Sequence, residues 1–186
     1  MFRSFLYFTG FVLLLLLAIY LLTSPLLGRL FYPFHYREQI EAAGEKYRVD
    51  PLLIAALIKV ESGFRREAVS SQGARGLMQI MPETAEWVAG KIGYRDFSPE
   101  LLFQPEINIE LGTYYLADLL QLFQGNRVVA LAAYNGGRGK VGRWLEEGVW
   151  DGRLENLEQI PYRETRDFVY RVLQAYARYR QYYGNR

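Results

Sequence analysis

The sequence predicts a mainly α-helical fold preceded by one N-terminal transmembrane helix. Three observations carry that prediction: an apolar run opens the chain, apolar residues then recur at helical spacing in segments punctuated by glycine and proline, and no apolar/polar alternation lasts beyond a few positions. With the apolar run set aside, roughly 150 residues remain, enough for one compact domain. The composition is that of a globular chain, 51% hydrophobic with 23% charged residues and no low-complexity tract.

From Phe5 to Leu22 the residues are apolar or small, and the stretch continues to Leu27 past Thr23, Ser24 and Pro25. About 20 apolar residues span a bilayer as a helix, so residues 1–27 are expected to form a transmembrane signal-anchor. Secretory signals have apolar cores of about 7–15 residues and a small-x-small cleavage site, and no convincing one precedes Arg29. A cleaved signal is the alternative. Arg3 precedes the run while Arg29 and Arg37 follow it, so the distribution of positive charge does not fix the orientation. Residues 28–37 read as a juxtamembrane linker, with Tyr32 and Phe34 suited to a membrane interface and Pro33 breaking regularity.

Residues 38–184 read as one helical domain, with the first helix, Tyr36 to Tyr47, starting just before it. Asp50-Pro51 then supplies an N-cap and a proline at the first helical position, opening a helix through Leu52, Ile54, Leu57, Ile58 and Val60 to a stop near Gly63. Pro82 to Ile92 is closed by Gly93, and Pro105 to Phe123 ends at Gly125 with Ile109, Tyr115, Leu116, Leu119 and Leu120 on or near one side. Val128 to Tyr134 is short and apolar, and Arg138 to Glu146 is amphipathic. Glu164 to Tyr183 carries Phe168, Val172, Tyr176 and Tyr179 at helical spacing. No heptad is sustained and no solenoid repeat is present, which leaves a globular helical fold.

Composition narrows the chemistry. The net charge is +2 with scattered basic residues, which argues against a nucleic-acid partner. There is no cysteine, so disulfides, thiolate metal sites and cysteine nucleophiles are out. The single histidine, His35, makes a histidine metal cluster or a Ser-His-Asp triad untenable. No cofactor and no metal is expected, and reactivity must rest on carboxylates, amides and hydroxyls. The 15 tyrosines suit sugar-binding grooves and ordinary packing alike.

Glu61 is the most informative carboxylate. It ends a helix that is apolar almost all round, with Ile54, Leu57 and Ile58 one and two turns back. Apolar neighbours and the negative end of a helix dipole both raise a carboxyl pKa, as a general acid near neutral pH requires. The alternative is a surface glutamate paired with Arg65. Downstream, Ser70 to Pro82 is a glycine-punctuated loop running into an apolar turn, where Gly73 and Gly76 permit close backbone approach and Gln79 offers a donor and an acceptor. A plain loop returning to the core is equally compatible with that pattern. Asn135-Gly136-Gly137 ends a buried helix and is by itself an ordinary helix stop.

Taken together, four pieces closely resemble the successive motifs of the soluble-lytic-transglycosylase (SLT) catalytic domain. They are Glu61-Ser62, Gly76-Leu77-Met78-Gln79-Ile80-Met81-Pro82, Ala133-Tyr134-Asn135-Gly136-Gly137, and Ile160-Pro161-Tyr162-Arg163-Glu164-Thr165-Arg166, in the family's order, within a resemblance covering residues 36 to 182. The resemblance implies a lysozyme-like helical fold with Glu61 as sole catalytic carboxylate. It implies that Ser70 and Gln79 meet substrate, that Tyr134 helps orient the glutamate, and that Asn135 and Glu164 line the groove. Glu164 is also favoured at a helix start by the dipole alone.

The activity so implied is non-hydrolytic cleavage of the β-1,4 bond between N-acetylmuramic acid and N-acetylglucosamine in peptidoglycan glycan strands, leaving 1,6-anhydromuramoyl ends. The domain is then expected on the extracytoplasmic side of the cell membrane, held there through the one N-terminal helix. A hydrolytic goose-type lysozyme and a catalytically silent wall-binding or assembly module are the alternatives.

Overall fold

The computed structural model describes residues 7, 10–16, 19–20 and 25–184. About half of the anchor expected over residues 1–27 falls outside them. Among the described residues, no helix is long and apolar enough to cross a membrane.

The domain is helical, as expected: α1 (Pro25–Phe31), α2 (Arg37–Tyr47), α3 (Pro51–Glu61), α4 (Pro82–Ile92), α5 (Pro105–Leu122), α6 (Arg127–Gly136), α7 (Arg138–Glu146) and α8 (Arg163–Tyr183), with 3₁₀ turns at Pro99–Phe103 and Leu154–Gln159. The only β-pairing among the described residues is two isolated antiparallel bridges, Val69 with Arg75 and Arg75 with Ile80. α3 is the central element. Asp50 Oδ1 accepts from the Leu52 amide at 2.8 Å and Pro51 occupies the first turn, so the start is fixed without a free donor. The run Leu53 to Ile58 is buried on every side, each large side chain contributing about 1.5–3 kcal/mol of transfer free energy. α3 packs chiefly on α8, whose Phe168, Val169, Val172 and Ala175 supply the facing stripe. The Tyr176 hydroxyl donates to Asp50 Oδ2 at 2.5 Å, tying α8 to the start of α3. α6 caps itself in the same way, with Asn126 Oδ1 accepting from the Val128 and Val129 amides.

The segment expected as a linker over residues 28–37 is partly helical and packs on the domain. α1 occupies part of it, and Tyr32 and Phe34, expected at a membrane interface, pack on the C-terminal end of α8. Tyr32 meets Tyr179 edge-on at 5.7 Å and Phe34 meets Tyr183 at 5.4 Å. Tyrosines of α8 also donate to this segment's carbonyls, Tyr179 to Pro33 at 2.6 Å and Tyr183 to Tyr32 at 2.9 Å. The reason is that Tyr179 is buried and Tyr183 half-buried, and the non-helical backbone at residues 32–33 supplies acceptors for their hydroxyls.

Candidate active site

Glu61 is the last residue of α3 and lies where two cavities meet, of about 750 and 420 Å³, both lined by Glu61, Ser70 and Gln79. The larger extends past Tyr36, Phe64 and Arg65, the smaller past Tyr134, Asn135, Lys140, Tyr162 and Glu164. The carboxyl is thus shared by the linings of both cavities. Burial pushes the Glu61 carboxyl up to about 8. The Arg171 charge pulls it down and the Glu164 charge pushes it further up. At neutral pH it is therefore mostly a protonated acid. Arg65 makes no ion pair with it in the hydrogen-bond network; its Nε donates to the Ser62 carbonyl at 3.0 Å.

Ser62 explains how the acid is held. Its buried hydroxyl donates to the Leu77 carbonyl at 2.7 Å, joining the end of α3 to the glycine-rich loop. The next residue of that loop is fixed from both sides. The Met78 amide donates to Asn108 Oδ1 at 2.7 Å, and the Met78 carbonyl accepts from the Tyr134 hydroxyl at 2.9 Å. Fully buried Asn108 also donates to the carbonyls of Arg75 and Leu102, both at 2.9 Å. Gly76, at φ 78°, lies so close to Asn108 and the Leu102 carbonyl that a Cβ would overlap them, so glycine is required there for two reasons.

All six residues singled out from the sequence, Glu61, Ser70, Gln79, Tyr134, Asn135 and Glu164, line the smaller cavity. Four of them also make hydrogen bonds that hold the fold around the cavity. Gln79 adopts φ 47°, and its Nε2 donates to the Ala68 and Gly76 carbonyls at 3.0 and 2.9 Å. Its donor is thus spent on the loop, and Oε1 is what remains for a ligand. Ser70 Oγ accepts from the Ala74 amide at 3.0 Å, closing the loop on itself. The Tyr134 hydroxyl commits its proton to Met78 and is pushed well above its ordinary pKa by burial first and then by the Glu61 charge. It therefore presents lone pairs, not a proton, to nearby groups. Asn135 Oδ1 accepts from Thr165 Oγ1 at 2.8 Å, which joins the end of α6 to the start of α8.

Sequence reasoning quoted Ser62, Thr165 and Tyr162 within the motifs without giving them a role, and missed Asn108, Lys140 and Arg171 altogether. Ser62, Asn108 and Thr165 are polar side chains buried in the structure. Lys140 sits 4.4 Å above the Tyr162 ring, which stacks on Trp144. Nothing in their spacing reveals this.

The family described as "Transglycosylase SLT domain" matches residues 38–155 of the chain. A relative named soluble lytic murein transglycosylase from Salmonella typhimurium is 41% identical over 135 residues, covering 70% of this chain and 21% of the relative. One named membrane-bound lytic murein transglycosylase C, from Edwardsiella ictaluri, is 33% identical over 169 residues, covering 78% of this chain and 46% of the relative. Among solved structures, the 70-kDa soluble lytic transglycosylase of Escherichia coli matches with a TM-score of 0.77 at 35% identity, over 82% of this chain and 25% of that one. The chain thus spans less than half the length of these relatives.

Proposed function

The chain belongs to the transglycosylase SLT domain family, and from that premise we propose that it cleaves the muramic acid–glucosamine β-1,4 bond of peptidoglycan without water. The observation that carries the proposal is a carboxyl held protonated to about pH 8 in the lining shared by two open cavities. Glu61 protonates the glycosidic oxygen as the C1–O bond breaks, and the substrate's own acetamido oxygen stabilises the electron-poor C1. Glu61, now a carboxylate, takes the proton from the C6 hydroxyl of the same muramic sugar, whose oxygen closes onto C1. The acid is regenerated and the product is a 1,6-anhydro end. Arg171 favours the transient carboxylate, while burial and Glu164 favour its return to the acid.

Ser70 and the Oε1 of Gln79 face the sugars from the loop side, and Asn135 and Glu164 from the α6 and α8 side. A second reading is favoured by one feature: Glu164 lines the same cavity as Glu61 and could steer a water, as in hydrolysis with two carboxylates. Against it, Glu164 is exposed and at a helix start that favours a carboxylate anyway. Full-length protein in detergent, incubated with sacculi, discriminates these readings. Anhydromuropeptides are expected, each lighter by one water than the hydrolysed product. Release of reducing ends would establish the hydrolytic reading, and binding without release would establish a silent module.

The anchored, extracytoplasmic placement is part of the same proposal. It is supported by the apolar stretch of residues 5–22, by the exposure of Phe11, Leu13, Leu14 and Leu16, and by the presence of a relative named membrane-bound. Protease added to whole protoplasts should digest residues 40–186. Protection of that segment would overturn the orientation.

A further inference from the structure

We infer that the bilayer surface is a docking partner of the domain itself, met by Leu30 and Phe31 and held in register by a clamp between residues 28–34 and the end of α8. This rests on the anchored reading above. Leu30 and Phe31 are 73% and 71% exposed, among the most exposed large apolar side chains outside the N-terminal run. Only Gly28 and Arg29 separate them from the apolar stretch that ends at Leu27, so they lie close to the lipid that stretch would enter.

The clamp is what distinguishes docking from tethering. Arg29 reaches back to the Tyr182 carbonyl with Nη2 at 2.9 Å and Nε at 3.3 Å, and its guanidinium lies 5.1 Å over the Tyr183 ring. Gly28 lies against the Tyr182 ring so closely that a Cβ would overlap it. Two tyrosine hydroxyls and the Tyr32/Phe34 ring contacts complete the attachment. A flexible linker would let the domain sweep a wide shell, whereas this joint fixes its orientation on the membrane.

The groove is fixed with it. Tyr36 lines the larger cavity, five residues after Phe31, and five residues span at most about 18 Å when fully extended. One end of the groove is therefore held beside the bilayer, and the glycan presented to it is the layer lying directly on the membrane. The reaction that supplies this substrate is of the class that polymerises glycan at the membrane surface.

The chain has no cysteine, so a single introduced one takes a probe cleanly. Full-length Phe31→Cys, and Glu86→Cys on the distant α4 as control, are labelled with an environment-sensitive fluorophore and reconstituted in phosphatidylglycerol/phosphatidylethanolamine vesicles. Docking predicts a blue-shifted probe at position 31, quenched by nitroxide-bearing lipids, and an unquenched probe at position 86. It also predicts slow anisotropy decay at position 86 that becomes fast when Arg29→Gln and Tyr183→Phe loosen the clamp. Flotation with a water-exposed probe at position 31, or a freely tumbling wild-type domain, overturns the docking and leaves the anchor standing. Failure to float overturns both. Cleavage of sacculi, measured on the same samples, tests the enzymatic reading separately.

Discussion

Moving the Glu61 carboxyl from 4.5 in the unfolded chain to about 8 in the folded one makes folding itself depend on pH. Between those values the folded state binds the proton and the unfolded state does not, so this group's contribution to stability is greatest below about 4.5, falls as pH rises, and levels off above about 8. A gap of that size corresponds to roughly 3–5 kcal/mol. Glu61→Gln removes the ionisation, and chemical denaturation should find the variant more stable than wild type at pH 9 and little changed at pH 4. Its cleavage rate should drop by about a thousandfold or more, because no other group supplies the proton. The two charges that act on Glu61 give a sharper check. Arg171→Gln should move the alkaline limb of the rate profile to higher pH and Glu164→Gln to lower pH, since one removes a charge that lowers the acid's pKa and the other a charge that raises it. Shifts in the same direction would contradict the electrostatic account. Glu61 was legible in the sequence because an acid closing an apolar helix stands out against Ile54, Leu57 and Ile58 behind it. Arg171 was not, because its influence crosses from α8 to α3 and leaves no trace in local spacing.

At the scale of elements, the site is assembled by polar residues that join one segment to another. Ser62 joins α3 to the loop, Asn108 joins α5 to the loop, Tyr134 joins α6 to the loop, and Thr165 joins α8 to α6. Asn108 holds three backbone groups, and replacing it by leucine leaves buried donors and acceptors unpaired at about 1–3 kcal/mol each. A loss of about 3–5 kcal/mol in urea unfolding is expected for Asn108→Leu, together with reduced cleavage as the loop that carries Gln79 loosens. Helix positions were readable from the sequence because caps and prolines mark them: Asp50-Pro51 opens α3, and Gly93 closes α4 at φ 73°. The 3₁₀ segments at Pro99–Phe103 and Leu154–Gln159 were not, since five or six residues are too few to show a period. Glycine and glutamine in the loop were visible as permissive and polar. That the Gln79 amide would be consumed by the Ala68 and Gly76 carbonyls depended on a fold-back that only the assembled structure provides.

Across the whole molecule, α3 and α8 tie the groove to the N-terminal segment. Near one end of their packing lie Glu61 and Glu164 in the groove; at the other, α8 ends in the tyrosines that grip residues 28–34. The sequence showed an apolar run and a helical domain and left the intervening residues as a linker, because interface aromatics and clamp aromatics have the same composition. The order of the motifs implied a lysozyme-like groove, and the described residues place Glu61 at the junction of its two cavities. The central claim is that this single acid transfers the proton out and back within one sugar, and product mass tests it most directly. Mass spectrometry of muropeptides released from sacculi by the wild type should show anhydro ends lighter by one water, and Glu61→Gln should release none. Hydrolysed reducing ends from the wild type, or undiminished release by Glu61→Gln, would contradict it.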